Sequence, residues 1–352
     1  MSSARKRSPA GLRVGVVGAT GMVGRILLEQ LEKRRFPVGE LRPFGSGRRD
    51  ARVSFRGRSI PAPAVSPEAI SSSDLVFLVS SDEVAKRWAE PLAKKGVWVI
   101  DDSSAFRLHP KVPLVIPEVN ASALSQDCRL IAGPNCTVTG AAVAGLPIHR
   151  RARVVRVHMA SYQAVLGAGR EALFEFYAQT RKAGGSLPEG ETLPRLGLPE
   201  AKALPRRIAL NVFPQVGSFD EDGDCGEEAK VRAELRKIWS TPDLRVAVTT
   251  VRVPVPRGHS LALWLETRRP LSPTAAKALL RRAPGVRLWR DGDYPTPAAA
   301  AGTDPVHVGR IRRGGASDNE LALWIVSDNL LVGAALNSVR IAEHLLKKGW
   351  LG

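Results

Sequence analysis

Three segments of the chain carry residues whose types and spacing could do chemistry. Cys136 lies in AGPNCTVTG at 132–140. A strand-like apolar run ends at Ala132, a helix of small residues is predicted from near Thr137, and Asn135 is placed to cap it. A thiol in the first turn of a helix sits at the positive end of the dipole, which favours the nucleophilic thiolate. Cys128 and Cys225 have no such setting and read as small buried apolar residues. His259 lies in VRVPVPRGHS at 251–260, where a Pro/Gly break opens a new strand. A histidine at such a boundary is placed to exchange protons near neutral pH. The third segment is GATGMVG at 18–24, behind the apolar run LRVGVV at 12–17 and ahead of a helical pattern in Val23, Leu27, Leu28 and Leu31. Strand, glycine turn and helix together form a dinucleotide-binding unit. Gly18, Thr20, Gly21, Met22 and Val23 are its candidate contacts, because the glycines admit a pyrophosphate and the helix start offers N–H groups.

A thiolate used with a nicotinamide implies one class of reaction. Sulfur adds to an aldehyde, the thiohemiacetal loses hydride, and a second nucleophile cleaves the thioester that remains. The second strand, near 40–44, leads into FGSGRR at 44–49 with no carboxylate at its end. NAD-binding folds place Asp or Glu there for the ribose 2′-hydroxyl. Ser46, Arg48 and Arg49 in its stead favour a 2′-phosphate, hence NADP.

The elements that must position these residues fall into two textures. Up to about residue 135, short apolar runs at 12–17, 74–79, 97–100 and 129–132 are separated by helical segments such as 83–95. That alternation predicts a Rossmann-type parallel sheet covered on both faces. Beyond about residue 150, longer alternating runs at 153–159, 244–253, 259–267 and 320–326 read as antiparallel strands, with helices near 167–182 and 226–239. Residues 183–206 read as a surface excursion, and 333–349 as an amphipathic helix with Ala335, Val339, Ala342 and Leu346 on its apolar face. The expected class is α/β: a cofactor domain over 1–135, completed by the helix at 333–352, and an α+β substrate and dimerisation domain with a mainly antiparallel sheet over 136–332.

In order along the chain, GATGMVG at 18–24, SSAFR at 103–107, IPEVN at 116–120, GPNCT at 133–137, SYQAV at 161–165 and GAG at 167–169 are followed by NVFPQ at 211–215, GEEAK at 226–230, RVPVPRGHS at 252–260 and VSDNLLVGAALNSVRIAE at 326–343. With these motifs the sequence resembles the bacterial aspartate-semialdehyde dehydrogenases from about residue 12 to its end. The resemblance implies reduction of L-4-aspartyl phosphate to L-aspartate 4-semialdehyde with release of phosphate, NADP as cofactor, service to lysine, threonine and methionine synthesis, and a homodimer or dimer of dimers. It implies Cys136 as nucleophile, His259 as acid/base and Gln163 as the residue orienting the reacting group. It also implies Arg252 for the substrate carboxylate, Glu227 for its ammonium, Arg107 and Lys230 for phosphate, and Asn135 beside the nucleophile in the substrate site. Gly167, in the GAG segment, and Asn329 are implied near the nicotinamide. The sequence departs from the family pattern at Leu166, where Ser or Ala is usual, and at Ser80-Ser81-Asp82-Glu83, where an acidic pair replaces a Ser-Ala-Gly-type loop beside the cofactor.

Two alternatives stand beside this reading. A reductase of N-acetyl-glutamyl phosphate would share the fold and the chemistry, but an acylated amine needs no carboxylate such as Glu227. A catalytically silent homologue acting as a binding protein would have no reason to keep Cys136, Gln163 and His259 together. The net charge of +18, from 52 Lys plus Arg against 34 Asp plus Glu, is scattered along the chain with no nucleic-acid motif behind it, and reads as a solvated surface. Three cysteines make no disulfide framework in 352 residues, which points to a reducing, cytoplasmic setting. No CxxC or HxxxH pair suggests a metal site, no apolar run approaches the ~20 residues of a membrane span, and the basic N-terminal tail lacks the apolar stretch of a secretory signal.

Overall fold

The computed structural model describes residues 11–48, 50–184 and 197–351. The N-terminal tail, Arg49 and the middle of the 183–206 excursion lie outside the described residues. In chain order the elements are β1 Leu12–Val17, α1 Met22–Lys33, β2 Val38–Phe44, β3 Arg52–Phe55, β4 Arg58–Pro61, α2 Pro67–Ser71, β5 Leu75–Leu78, α3 Asp82–Lys94, β6 Trp98–Asp101, α4 Pro117–Asn120 and β7 Leu130–Ala132. They continue with α5 Cys136–Ala152, β8 Val154–Gln163, α6 Arg170–Ala183, α7 Gly226–Ile238, β9 Arg245–Arg252, β10 His259–Thr267, α8 Pro273–Arg281, β11 Val286–Leu288, α9 Pro297–Ala300, β12 Val306–Arg313, β13 Glu320–Ser327 and α10 Leu336–Lys347. Two compact units result, one of residues 1–135 with 334–352, the other of residues 136–333.

The first unit is built on five parallel strands in the order β2-β1-β5-β6-β7. β5, β6 and β7 are buried along their whole length, as strands covered on both faces must be. The core joins Val14 and Val16 to Leu27, Leu31, Phe77, Trp98 and Ile100, and to Ala335, Val339, Ala342 and Leu345 of the C-terminal segment. Leu345 takes the buried position, while the anticipated Leu346 sits at the margin. Arg34 grips Glu343 through two bonds of 2.7 Å, and the Trp98 indole donates to the Trp350 carbonyl at 3.1 Å, so the end of the chain is fastened to this sheet. A β3–β4 hairpin, absent from the sequence expectations, turns through Arg56 (φ 49°) and Gly57 (φ 71°), the left-handed pair of a type I′ turn.

The second unit holds a six-stranded sheet in the order β11-β12-β13-β10-β8-β9. β12, β13, β10 and β8 are antiparallel neighbours. The sheet is mainly antiparallel, but the expectation that the run at 244–253 is antiparallel is corrected, because β9 runs parallel to β8; the short β11 likewise runs parallel to β12. The physical reason lies in the connection between β8 and β9, which passes through α6 and α7 and is long enough for a crossover that returns the chain in the same direction. α5 lies on one face of this sheet. A side chain at Gly140 would come within 3.3 Å of Leu261 and 3.5 Å of Ile325, so glycine permits the close approach.

Candidate active site

Strand direction gathers the polar residues of the second unit at one edge. β8 and β9 run together and end with Gln163 paired to Arg252. β10 runs against β8 and begins with His259, next to the Ser260–Tyr162 pair. Cys136 opens α5 on the same sheet, half-buried, and its Sγ lies 3.3 Å from Nε2 of His259.

The other ring nitrogen fixes the histidine. Nδ1 accepts the N–H of Ala164 at 3.1 Å, which puts the hydrogen of the neutral ring on Nε2, facing sulfur. Burial, with a smaller contribution from the Arg252 charge, pushes the imidazole down to about 3, so it is neutral at physiological pH. The loop ahead of it is held by Asn329, whose Oδ1 accepts the Gly258 N–H at 3.0 Å. Asp328, fully buried, accepts from the N–H groups of Leu330 and Leu331 and pairs with Arg257 at 2.7 Å. The same segment reaches Gly333, where a Cβ would stand 2.4 Å from Cα and 2.5 Å from Cβ of Cys136. Only glycine fits against Cys136 there.

Arg252 is 4 % exposed and donates to the Ala164 carbonyl at 2.7 Å, while its Nε has no hydrogen-bond partner. Among the described residues no carboxylate forms an ion pair with it. Burial lowers its pKa, partly offset by Cys136 and Glu227. A buried guanidinium left this way suits an anion, because the cost of its desolvation is offset when a carboxylate or phosphate meets it. Glu227 is buried, and its Oε1 accepts from Gln163 at 3.1 Å and from Thr137 at 3.0 Å. Gln163 also donates to Ser161 Oγ at 3.3 Å. Lys230, one helical turn beyond Glu227, is exposed. A side chain at Gly167 would meet Arg252 Nη1 at 3.0 Å and His259 Cε1 at 3.2 Å, so glycine keeps the approach to both open. Leu166 is half-buried, with its N–H on the Pro256 carbonyl at 3.1 Å.

In the first unit, Gly18 has φ +86° and would carry a Cβ 2.3 Å from the Val79 carbonyl; Gly24 would carry one 2.2 Å from the Gly18 carbonyl. No side chain caps α1, whose N-cap is Gly21, and Met22 and Val23 supply its first N–H groups. This cradle of backbone at a helix start fits a pyrophosphate. A Cβ at Gly45 would stand 3.1 Å from the Thr20 methyl, so the chain leaves β2 beside the glycine turn, and Ser46 and Arg48, which follow, are exposed. The acidic pair has its own explanation. Asp82 and Glu83 fill the first turn of α3, and Asp82 accepts from the N–H and Oγ of Ser104 at 2.8 and 2.7 Å. Arg107 is 9 % exposed and donates to the Asp102 carbonyl at 2.8 Å; Asn135 is buried immediately ahead of α5.

Sequence reasoning missed Thr137 and Ser161, which orient Glu227 and Gln163, and Asp328, which anchors the loop ahead of the histidine. Thr137 and Ser161 lie inside motifs already singled out, but the partner of Thr137 is 90 residues away on α7, and that of Ser161, two residues along β8, is drawn into the site by Glu227 of the same helix.

Comparisons with known proteins show the family. A family model described as semialdehyde dehydrogenase, NAD binding domain, matches residues 13–127, and one described as semialdehyde dehydrogenase, dimerisation domain, matches residues 146–332. Fold and matches together define the class, the semialdehyde dehydrogenases. The aspartate-semialdehyde dehydrogenase of Synechocystis sp. is 41% identical over 347 residues, spanning 97% of this chain and 100% of that protein. The crystal structure of aspartate semialdehyde dehydrogenase II from Vibrio cholerae matches with a TM-score of 0.90 at 36% identity, covering 96% of this chain and 99% of that one. The same Vibrio enzyme complexed with ASA gives 0.90 at 35%, covering 96% and 98%. The chain belongs to the aspartate-semialdehyde dehydrogenase family.

Proposed function

We propose that this protein reduces L-4-aspartyl phosphate to L-aspartate 4-semialdehyde and releases phosphate, through a thioester on Cys136. One observation carries the reading: the Cys136–His259 pair stands beside a buried Arg252 cation that forms no ion pair with a carboxylate among the described residues. The positive end of α5 and the Arg252 charge both favour a negative sulfur, and Nε2–H of His259 points at it. The thiolate attacks the acyl carbon, the phosphate leaves with the electron pair of the broken C–O bond, and the thioester remains on Cys136. When bound, NADPH supplies the hydride that reduces this thioester. The electron pair on the resulting oxyanion is met by Nε2–H and by the Cys136 backbone N–H at the helix start, then reforms the carbonyl as sulfur departs. Because Nδ1 is occupied by Ala164, His259 serves in this scheme as a neutral hydrogen-bond donor to sulfur and oxyanion.

Arg252 forks the substrate carboxylate, Glu227 takes its ammonium, Gln163 orients the reacting carbonyl, and Arg107 and Lys230 hold phosphate, with Asn135 beside the nucleophile. Gly18, Thr20, Gly21, Met22 and Val23 cradle the pyrophosphate, while Gly167 and Asn329 border the nicotinamide. Ser46 and Arg48, at a strand end without a carboxylate, select NADP over NAD. The match to a dimerisation domain supports a homodimer or dimer of dimers formed through the second unit. The face of its sheet away from α5 presents Tyr162, Trp264 and Trp324 half-exposed. No helix among the described residues is long and apolar enough to cross a membrane.

The test is phosphate-dependent reduction of NADP with L-aspartate semialdehyde and, in parallel, N-acetyl-L-glutamate semialdehyde. Turnover of the first is expected; preference for the second overturns the proposal.

A further inference from the structure

We propose that Glu228 is a positioning residue for substrate recognition: its buried carboxylate locks the start of α7 to β9 and so sets where Glu227 and Lys230 stand relative to Arg252. The inference rests on the function proposed above and deepens it. Glu228 occupies the third position of α7. Its Oε2 accepts the N–H of Cys225, the helix N-cap, at 2.8 Å, which is the ordinary reach of a capping-box glutamate. Such a cap needs one oxygen and usually lies in solvent. Here Glu228 is 7 % exposed, and its second oxygen crosses to the sheet, accepting the N–H of Thr250 at 2.8 Å. The Thr250 hydroxyl contacts Cys225 Sγ at 2.9 Å, with Cys225 and Thr250 both fully buried, so the clamp is closed and dry.

The placement of this clamp gives it a function. Glu227 is the preceding residue, and Lys230 lies two residues on. Thr250 is two residues before Arg252, hence on the same face of β9. One carboxylate therefore fixes the spacing between the helix that would carry the ammonium and phosphate contacts and the strand that would carry the carboxylate contact. Both of its oxygens accept from backbone N–H groups. Glutamine offers one acceptor oxygen and a donor in place of the other, so Glu228→Gln must set N–H against N–H at either Cys225 or Thr250.

The experiment is steady-state kinetics of this chain and of Glu228→Gln, with amide exchange at Cys225 and Thr250, read against amides elsewhere in the same unit, as a check on the clamp. The variant is expected to raise KM for L-aspartate semialdehyde and for phosphate by ~10-fold each, leave kcat within about threefold, and leave KM for NADP and the rate of Cys136 alkylation by iodoacetamide unchanged. Protection should fall at Thr250 or Cys225. Glu228→Asp keeps the charge but draws both oxygens back by one methylene; it gives the same split and replaces the glutamine variant if that chain does not fold. Turnover by the unmodified chain with both KM values unmoved in a folded variant overturns the inference alone. A fall in kcat and alkylation rate together, with KM for NADP rising in step, shows general loss of structure and also overturns it. Absence of turnover by the unmodified chain overturns the functional proposal and this inference with it.

Discussion

His259 turns Nε2 to the sulfur of Cys136 at 3.3 Å while its Nδ1 is held by the backbone N–H of Ala164 at 3.1 Å. The second contact decides what the first can be. A ring nitrogen that accepts a backbone hydrogen bond carries no proton of its own, so the neutral ring must donate from Nε2. Taking up a second proton would break the bond to Ala164 and bury a charge near Arg252. In the proposed mechanism this keeps the histidine ready to stabilise negative charge on sulfur or oxygen.

The pH dependence of the reaction should reflect this. His259 is neutral in the folded protein down to about 3, against an ordinary value of 6.5. No acid limb near 6.5 from this residue is therefore expected in kcat/KM. Folding follows the same linkage: the unfolded chain protonates this imidazole below 6.5 while the native chain does not, so this contribution to stability is full above 6.5 and is lost as pH falls toward 3. His259→Gln removes the titrating group and should lose less stability than the wild type between about pH 7 and pH 5, while kcat falls by about 10²-fold or more. Thermal melts and pH–rate profiles check both; a histidine-dependent limb near 6.5 contradicts the fixed tautomer.

Arg252→Lys is expected to raise KM for L-aspartate semialdehyde by about 10–100-fold with a smaller effect on kcat, because an ammonium cannot fork a carboxylate and keep its bond to Ala164. Steady-state kinetics with saturating NADP and phosphate measures this. Arg252→Ala should lose more, and its binding should not recover in higher phosphate.

Much of this site follows from local sequence, and the rest from long-range pairing that local sequence does not contain. Cys136 stands out because strand, Gly-Pro-Asn break and small-residue helix all lie within nine residues. His259 stands out because a Pro/Gly break precedes an alternating strand. Arg252 and Gln163 each end a strand, but alternation gives only which face a residue occupies. That the two strands run parallel, so that both residues reach one edge, depends on a crossover through α6 and α7. Glu227 and Glu228 would read from spacing alone as a solvated helix face; burial of both comes from α7 lying against β9. The contact of Gly333 with Cys136 joins residues almost two hundred positions apart, and nothing in either neighbourhood announces it. The β3–β4 hairpin escapes for a different reason: its strands are four residues each and rich in arginine and serine, and only the Arg56-Gly57 turn marks them.

Asp102 should make folding sensitive to pH near neutrality. It follows β6 with its carboxylate turned away from solvent, takes a hydrogen bond from Ser338, and has space only because residue 133 is glycine, where a Cβ would stand 2.6 Å from Oδ1. Burial pushes its carboxyl up to about 7 from 3.8, with neighbouring Asp101 adding to the rise and Ser338 and Arg107 opposing it. The folded chain therefore holds this proton up to about 7, whereas the unfolded chain releases it near 3.8, and stability declines as pH rises between the two. Asp102→Asn keeps an acceptor for Ser338 and cannot ionise. Its melting temperature should exceed that of the wild type by several degrees at about pH 8, with the gap closing toward pH 4. A gap that does not change with pH contradicts this assignment.

The most direct test is intact-protein and peptide mass spectrometry of the enzyme quenched in acid during turnover with L-aspartate semialdehyde and NADP in the absence of phosphate, where the acyl group accumulates because its acceptor is missing. An aspartyl adduct on the peptide containing Cys136 is predicted, discharged by phosphate and absent from Cys136→Ser, whose hydroxyl is a far weaker nucleophile at neutral pH. Hydride transfer at the wild-type rate with no adduct on that peptide, or an adduct on Cys128 or Cys225, would contradict a thioester at Cys136.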